Sequence, residues 1–562
     1  MPTWPVRFFL GLLTATVVAC SPVPPAPTSN SSLGHNVTPT ATFVATPTPT
    51  ATLVGTPTPT IVNFPQETRP RGTATLVSPG GLEHLDVHQT VGDGLQAMGP
   101  GIVYSRLVRL QTGSDVALPS LALECDLCRY WEQSDPLTYT FHLRSGIKWH
   151  NMQPLGGRDL TADDVVFSLE RLRTPQWPGA ALLDSVDTIE ATDDLVIRIR
   201  LKFDDPDFLL SLAHGQSKVV APEAVSIQGD LRTGPVIGTG PWVFDSTTVN
   251  GRYLFKANSD YYEPAYPRLE RLLIQHVPDP LIRLAAILTD GADLTVLDDE
   301  AWRYLLAQDS SVEYGVFPQP GTGILLGLRA DREPFDDLYV RQALFQSLDP
   351  WEALEKTWGN RGTVQVGLPA ISPDWLLSGD EMRLYLDNPL TVGELLSRSD
   401  TELPISFALT VADFGDRYLD LGNAYQQMIK EAGFQTSINV LNPRLYAATV
   451  WGTGDFQAFL GPMPPVYTPN RFLHGLIHST GQWPVTGFVD ETLDDLVERQ
   501  SLAVNDRSGL VNEIQHQILR EALLFMPVTG TSLWVWQPRL RDFTPNFTAS
   551  EYFHWARLTV RE

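Results

Sequence analysis

The sequence predicts an α/β fold, because segments with the alternation of strands lie between longer segments with a helical apolar period. TYTFHL (138–143) and LVIRIRL (195–201) alternate apolar and polar residues, as half-buried strands do. The segment TADDVVFSLERLRT (161–174) lies between them and places its apolar residues on one helical face. Interleaved strands and helices favour an α/β architecture.

The first 19 residues have the pattern of a secretory signal peptide. Arg7 precedes the apolar run Phe8–Ala19, which is too short to cross a bilayer, since that takes about 20 residues. The run ends in VVAC (17–20), which resembles the bacterial lipobox, in which the cysteine thiol receives a diacylglycerol. We therefore expect export, lipidation of Cys20 and anchoring to the outer face of the cell membrane. The alternative is an ordinary signal peptide with a chance cysteine.

Residues 20–71 combine the lipidated cysteine with a stretch rich in Thr and Pro, such as TPTATFVATPTPT. Proline at this density blocks helices and sheet ladders and favours extended polyproline II. We expect a disordered tether between the lipid and a folded part that begins near residue 72. No later apolar run reaches 18 residues, so the mature chain is not predicted to cross the membrane.

The composition excludes some partners. Hydrophobic residues make up 43% and charged residues 19% of the chain, as in globular proteins, and the formal net charge is −25. Such an acidic surface repels phosphate backbones, so we expect no nucleic-acid partner. It also argues against docking on anionic lipid by charge alone.

Three helices are predicted with their end signals. In 161–174, Thr161 is a good N-cap and acidic residues fill the first turn. DDLYVRQALFQSL (336–348) reads as a second capped amphipathic helix. LDLGNAYQQMIKEAGF (419–434) reads as a third, which ends at Gly433 and precedes the strand QTSINVL (435–441).

Five segments, in order and at similar spacing, resemble family 5 of the extracellular solute-binding proteins, the oligopeptide, dipeptide and nickel binders of ABC importers. They are YTFHLRSGIKWHNMQPLGGRDLTADDVVFSLERL (139–172), IGTGPWVF (237–244), ANSDYYEPAYPRLERLLIQHVPDP (257–280), LGLRADREPFDDLYVRQALFQSLD (326–349) and FVDETLDDLVERQ (488–500). Gly146 and Gly240 suit turns with a positive φ. Arg341, on the helix of the fourth segment, suits a structural ion pair.

The resemblance implies a periplasmic binding protein fold of type II with three lobes, in which two lobes joined by a hinge enclose a ligand cleft. We expect lobe I to be discontinuous, built from 72–117, 235–325 and 528–562. Lobe II would span 118–234 and lobe III 326–527. The implied mechanism is hinge closure over a small-molecule solute, which is then delivered to the membrane-embedded permease subunits of an ABC importer. We expect a monomer.

One segment departs from the family pattern. In the family's peptide binders an aspartate in Gly-Trp-x-x-Asp-Tyr-x-x-Pro holds the amino terminus of the peptide. The matching stretch here is GPMPPVYTP (461–469), which places Pro465 at that position and Met463 nearby as an adaptable apolar surface. Because a buried amine needs a counter-charge, a standard peptide held by its free amine is not the expected ligand.

Further candidate ligand residues follow from their surroundings. Asp93, beside Gly94 in the loop VGDGLQ (91–96), could replace the missing carboxylate, although a solvated turn aspartate is an equal alternative. Trp534 and Trp536 alternate in SLWVWQ and should share one face of a strand. Trp451 and Tyr467 are weaker candidates. For each tryptophan, packing in the core is the alternative.

The remaining chemistry points to no cofactor and no metal. Cys125 and Cys128 form a C-x-x-C for which a disulfide is favoured outside the cell, with free thiols or a metal as alternatives. His474 and His478 have helical spacing without the glutamate of H-E-x-x-H. Neither G-x-S-x-G nor a Walker A loop occurs, so no catalytic residue is assigned. A surface-anchored hydrolase of peptides or glycans and a binding lobe for a membrane sensor remain as alternative functions.

Overall fold

A computed structural model describes residues 69–248, 251–306, 311–387, 391–464, 466, 468–483, 485–502 and 507–561. In this part of the chain strands and helices are interleaved, so the predicted α/β class is confirmed. The expected signal peptide, Cys20 and nearly all of the tether lie outside the described residues. No helix in the described ranges is long and apolar enough to span a bilayer.

The strands, in chain order, are β1 (Thr73–Ser78), β2 (Val108–Leu110), β3 (Leu123–Cys125), β4 (Cys128–Asp135), β5 (Thr138–Leu143), β6 (Val186–Asp193), β7 (Val196–Leu201), β8 (Trp242–Thr247), β9 (Arg252–Ala257), β10 (Arg271–His276), β11 (Leu294–Leu297), β12 (Glu313–Leu328), β13 (Ser406–Ala412), β14 (Gln435–Leu441), β15 (Ala458–Pro462), β16 (Leu524–Trp536), β17 (Leu540–Arg541) and β18 (Thr559–Val560).

The α-helices, in chain order, are α1 (Asp93–Gln96), α2 (Ala162–Leu172), α3 (Phe208–Ala213), α4 (Pro222–Ser226), α5 (Pro280–Leu288), α6 (Asp299–Leu306), α7 (Leu338–Gln346), α8 (Pro350–Trp358), α9 (Gly379–Leu386), α10 (Val392–Leu396), α11 (Asp416–Glu431), α12 (Pro443–Tyr446), α13 (Pro469–Phe472), α14 (Glu491–Leu502), α15 (Arg507–Arg520) and α16 (His554–Arg557).

Two large hydrophobic cores organise the described chain. The first core is built from residues between 74 and 294 together with residues between 534 and 558. The second core is built from residues between 324 and 528. The side chain of Ile371 packs against both. The chain therefore leaves the first core once and returns to it once.

The two passages between the cores are β12 and β16, which are neighbours in one ten-stranded sheet of order β14-β13-β15-β12-β16-β11-β1-β10-β9-β8. Their antiparallel register runs from Glu313↔Trp536 to Pro318↔Thr531 and resumes at Gly323↔Thr529 after a break. In this break, residues 319–322 of β12 lie opposite the single residue Gly530 of β16, so the ladder of hydrogen bonds is interrupted. We call residues 318–323 and 529–531 the hinge. They lie a few residues from the lobe boundaries expected at 325 and 528, and the division into three lobes remains a prediction.

A separate antiparallel sheet of order β4-β5-β7-β6 lies in the segment 118–234. The strands β5 and β7 bury every second residue, which confirms the alternation seen in the sequence. Phe141 of β5 is paired with Ile197 of β7, and both side chains are fully buried. Their apolar face packs within the first core, together with Val165 of α2.

The three helices predicted from end signals are confirmed as α2, α7 and α11. The backbone N–H of Thr161 donates to Asp164 Oδ2 (3.0 Å) at the start of α2. Asp337 caps α7 by accepting from the N–H groups of Tyr339 and Val340. Helix α11 begins at Asp416, earlier than its apolar pattern indicated, because an acidic residue is favourable in the first turn.

The two glycines expected to need a positive φ differ. Gly146 has φ +76°, as predicted. For Gly240 the prediction is wrong, because its φ lies outside the left-handed region. A Cβ at Gly240 would come within 2.7 Å of the Val103 carbonyl oxygen, so the glycine allows two backbone segments to approach. Position 240 therefore does require a glycine, but the reason is close packing and not a turn with a positive φ.

Buried ion pairs join distant parts of the chain. Arg106 Nη2 donates to both carboxylate oxygens of Glu551 (2.9 Å each), and both side chains are almost fully buried. Glu551 also accepts from the backbone N–H groups of Tyr552 and Phe553 (2.7 Å each). In the second core, Arg341 pairs with Glu521 (3.4 Å), which confirms its expected structural role.

Candidate functional site

A cavity of about 330 Å³ lies beside the hinge, and we call it the hinge pocket. Its lining combines residues that adjoin the first core with residues of the second. They are Leu118, Pro119, Val316, Pro318, Gln319, Thr322, Gly362, Thr363, Gln365, Gly367, Leu368, Leu376, Met526, Thr529, Gly530 and Thr531. Next to it, the backbone N–H of Leu121 donates to the carbonyl oxygen of Ile371 (2.8 Å). A molecule in this pocket would contact both sides of the hinge.

A second cavity of about 320 Å³, the outer pocket, lies between residues 181–211 and residues 468–483. Unlike the hinge pocket, it has charged walls, with Asp184, Asp205 and Arg471 among its lining residues. Burial and the neighbouring Asp207 raise the pKa of Asp205. His474 also lines this pocket, and its own burial together with the charge of the neighbouring His478 lowers its pKa.

Direct contacts close the space beside the outer pocket. The buried carboxylate of Asp207, which precedes α3, accepts from Arg507 Nη1 and from the backbone N–H of Asn470 (2.6 Å each). The guanidinium of Arg471 donates to the carbonyl oxygen of Ala181. These bonds join the segment 181–207 to the second core across the crevice between the cores.

We expect the substitution Asp207→Ala to loosen this contact, because it removes the acceptor of Arg507 Nη1 and of the Asn470 N–H. Losing one partner of a largely buried pair should lower the free energy of unfolding by about 2–3 kcal/mol. Small-angle X-ray scattering should also show a larger radius of gyration. The exposed substitution Asp194→Asn serves as the control. An unchanged radius of gyration in Asp207→Ala would mean that the contact does not hold the two cores together.

Asp93 lies at the start of α1, where Ser550 Oγ donates to its Oδ1 (2.6 Å). The carboxylate keeps an accessible surface, yet the surrounding protein raises its pKa by desolvation, against the effects of Ser550 and Lys218. Lys218 is fully buried, with its Nζ 3.9 Å from the centre of the Tyr552 ring. Burial, together with the charge of Arg106, holds the pKa of Lys218 well below its usual range. Asp93 is thus an exposed carboxyl group that is held by Ser550.

Gly94, the neighbour of Asp93, is buried against backbone. A Cβ there would lie 3.0 Å from the carbonyl oxygen of Gly81 and 3.3 Å from Cα of Gly80. Its observed contacts are therefore packing contacts, which keep α1 close to the loop after β1.

The tryptophans predicted as ligand walls pack mainly against other aromatic rings. Trp534 is 2% exposed and stacks on Phe547 with the centroids 4.9 Å apart. Trp536 is half-buried and donates from Nε1 to Glu313 Oε2 (2.9 Å). Both rings contact Phe543, which agrees with a shared strand face. In this conformation Trp534 is therefore a core residue, which is the alternative that the sequence left open.

Two further candidates lie in the second core. Trp451 is half-buried in the π-helical turn Ala447–Thr453 and meets Phe459 edge to face. The Met463 sulfur would lie 3.4 Å from a Cβ built on Gly367, so Met463 packs beside a residue that lines the hinge pocket. Pro465 and Tyr467 lie outside the described residues. The binding roles of all these residues remain predictions.

The cysteine and histidine motifs have structural surroundings. Cys125 and Cys128 form a disulfide between the end of β3 and the start of β4, with their Cα atoms 5.1 Å apart. His474 donates to or accepts from Ser501 Oγ (2.8 Å), and its ring stacks on that of His478. No group of three or more metal-ligating side chains occurs among the residues that the structure describes.

The residues of the hinge pocket were missed by the sequence reasoning. A signal was available, because QPGTG (319–323) and VTGTS (528–532) both place Gly and Thr at the ends of apolar strand patterns. Gly within a strand pattern marks a bulge or a close approach. The presence of such glycines in both segments therefore indicated where the hinge lies.

Two cores joined by two neighbouring strands, with cavities between them, define the class of hinged ligand-binding proteins. The chain belongs to the bacterial extracellular solute-binding proteins of family 5, because the profile described as Bacterial extracellular solute-binding proteins, family 5 Middle, matches residues 120–483. This confirms the resemblance read from the five segments.

Individual relatives agree with this assignment. The chain is 30% identical over 320 residues to Heme-binding protein A of Haemophilus influenzae. The aligned part covers 53% of this chain and 56% of that protein. The chain is also 27% identical over 327 residues to the Dipeptide-binding protein of Escherichia coli. That alignment covers 55% of this chain and 59% of the relative. The chain thus spans little more than half the length of these relatives. HbpA2 from Haemophilus parasuis shares the fold, with a TM-score of 0.75 at 20% identity over 87% of this chain and 100% of that structure.

Proposed function

We propose that this protein captures a small organic solute outside the cytoplasm, between its two cores, and delivers it to an ABC-type importer. The observation that carries the proposal is the hinge pocket, whose lining comes from both sides of the hinge. The membership of family 5 supports the same function. The activity that we propose for this crevice is binding without bond breaking.

Closure follows from the geometry of the pockets. A solute that contacts residues on both sides of the hinge gains its full contacts only when the two cores approach each other. It therefore shifts the population toward the closed state by its difference in affinity for the two states. The importer would recognise that closed state. The bonds of Asp207 to Asn470 and Arg507 would form in the same movement.

The position outside the cell rests on the amino-terminal segment. Export by the signal peptide, lipidation at Cys20 and the Thr/Pro-rich tether would hold the monomeric binding unit near its importer while leaving it free to rotate. Mass spectrometry of the membrane-extracted protein should find a diacylglycerol thioether on Cys20. A mature amino terminus at any other residue, without lipid, would contradict this part of the proposal.

Native mass spectrometry of protein purified without denaturation tests the central proposal. We expect a retained solute, which dissociates on unfolding and then raises the melting temperature when it is added back. At a hundred times its Kd, such a solute stabilises the native state by about 2.7 kcal/mol. Turnover of peptides or glycans by the purified protein would instead support the surface hydrolase, and genomic neighbours that encode a sensor would support the sensor.

Asp93 is the side chain that we propose for an amine or other cationic group of the solute. The substitution Asp93→Asn keeps the hydrogen bond with Ser550 possible and removes the charge. Loss of a charge-assisted bond should weaken binding of an amine-bearing solute by about tenfold to a hundredfold, as measured by calorimetry at neutral pH. Asp420→Asn, on the exposed face of α11, is the matched control. Equal affinity of the two variants would remove Asp93 from the site.

A further inference from the structure

The hinge pocket differs from the rest of the crevice in its charge. None of the described residues that line it carries an ionisable side chain. The outer pocket, which has nearly the same volume, contains Asp184, Asp205 and Arg471. In a chain with a formal net charge of −25, an uncharged wall beside the hinge is a distinct chemical environment.

The polar groups of this pocket are hydroxyls and amides. Thr322, Thr363, Thr529 and Thr531 line it together with Gln319 and Gln365. Threonine hydroxyls and glutamine amides can each donate and accept, so they match solute hydroxyl or amide groups, which do the same. The hydroxyls of Thr363 and Thr529 are already 3.1 Å apart across the gap between two segments. An ionised group, by contrast, would find no counter-charge on the described wall, and burial without one costs several kcal/mol.

The remaining wall is aliphatic. Leu118 and Pro119 approach from the side of the first core, and Leu368, Leu376 and Met526 from the side of the second. These side chains would cover the carbon frame of a solute, and the methionine can adapt to its shape. The pocket thus combines apolar contact with a few polar groups, as is usual for small-molecule sites.

We propose that the hinge pocket binds the uncharged end of the solute, a group with hydroxyl or amide functions on an aliphatic frame, and discriminates against solutes that end there in a carboxylate. The inference rests on the proposed function, since it names the substrate class of the same crevice. Because both sides of the hinge contribute to this pocket, its occupation is also the contact that favours closure.

Matched pairs of probes that differ only in the charge of one end test the proposal. One pair is a dipeptide amide and the same dipeptide with its free carboxylate, and the other is the amide of cellobionic acid and cellobionic acid itself. We expect binding by at least one neutral member, measured by thermal shift and calorimetry, and affinity at least about tenfold weaker for its charged counterpart. Equal or tighter binding of the charged member of a pair that binds would overturn the assignment.

Substitutions in the hinge pocket test whether its residues cause the preference for neutral probes. Thr531→Val removes one hydroxyl at nearly constant volume and should weaken binding of the neutral probe by about threefold to tenfold, which is the worth of one hydrogen bond. Thr188→Val, on the exposed face of β6, controls for general effects of the same change. Unchanged affinity in both Thr531→Val and Gln365→Leu, with the folded state verified by circular dichroism, would exclude the hinge pocket as the site.

The outcomes separate the two proposals. Binding of a charged probe that the Thr531→Val substitution does not affect would overturn the inference on the hinge pocket and leave the solute-binding function standing. If no probe binds, the chemistry of the solute retained in native mass spectrometry decides, and a solute with charge at every end would overturn the inference. Absence of both probe binding and a retained solute would overturn the proposed function, and the inference with it.

Discussion

Replacing Glu551 with glutamine should lower the free energy of unfolding by about 3 kcal/mol. The carboxylate is fully buried and is bound by the guanidinium of Arg106 and by three backbone N–H groups, of Leu110, Tyr552 and Phe553. In Glu551→Gln the size of the side chain is nearly unchanged, but Arg106 is left buried without its counter-charge. Chemical denaturation measures the change. The exposed substitution Glu513→Gln on α15 should change the stability by less than about 0.5 kcal/mol.

The same pair makes stability depend on pH. Burial alone would raise the pKa of Glu551, but the charge and hydrogen bonds of Arg106 and two backbone N–H groups outweigh it, so the pKa lies below its ordinary value of 4.5. A carboxyl group with a lowered folded pKa stabilises the native state above the unfolded pKa. That stabilisation is lost as the pH falls from about 4.5 through the folded pKa. We expect wild type to lose this part of its stability on acidification and Glu551→Gln to lack the loss. Parallel pH curves for both proteins would rule out this role.

Glu551 also fixes the residue beside it. Ser550, which donates to Asp93, directly precedes Glu551 in the chain. The Glu551 carboxylate accepts from the backbone N–H groups of the next two residues, so its ion pair with Arg106 fixes the backbone conformation after Ser550. We therefore expect Glu551→Gln to weaken solute binding as well as the fold, whereas an effect on stability alone would mean that Ser550 is held by other contacts.

The second large effect is expected for Gly238→Ala. A Cβ at this position would lie 2.0 Å from the carbonyl oxygen and 2.6 Å from the carbonyl carbon of Val103, both backbone atoms that no side-chain rotation can move. The backbone of Gly238 also accepts from the His150 N–H (2.9 Å), so the segment cannot shift without losing that bond. We expect a loss of more than about 4 kcal/mol or failure to fold.

Gly393→Ala is the matched control, because a Cβ at Gly393 on α10 would meet no atom within 4 Å. Alanine in a helix is favoured over glycine by about 1 kcal/mol, so this variant should be as stable as the wild type or more stable. Expression yield and thermal unfolding of the two variants measure the contrast. A folded Gly238→Ala protein with wild-type stability would show that the two segments are not in contact as described.

The class of fold could be predicted because local patterns agree with the tertiary structure. The alternation in β5 and β7 and the end signals of α2 and α7 are local properties, and the structure places the same residues in those elements. Gly240 shows the limit. A glycine next to a proline suggests a turn, but its cause here is Val103, a residue far away in the sequence whose approach no local pattern contains.

The site was harder to predict, for the same reason. Trp534 and Trp536 were correctly placed on one face of a strand, but the rings that cover Trp534, such as Phe547, come from a later segment without a recognisable pattern. Asp93 could be selected for its charge, whereas Thr529, Thr531 and Gln365 are ordinary polar residues in the sequence. They form a pocket only because the register break between β12 and β16 lies beside them.

The pairing of β12 and β16 side by side determines how the molecule can deform. Hydrogen bonds between antiparallel strands lie in the plane of the sheet and resist sliding of one strand along the other. Bending out of that plane stretches few of these bonds, and the interruption at Pro318 and Gly323 reduces the resistance further. The two halves of the protein are therefore expected to rotate relative to each other about a single axis. The direction of that rotation would set the entry path of the proposed solute and the surface offered to the proposed importer.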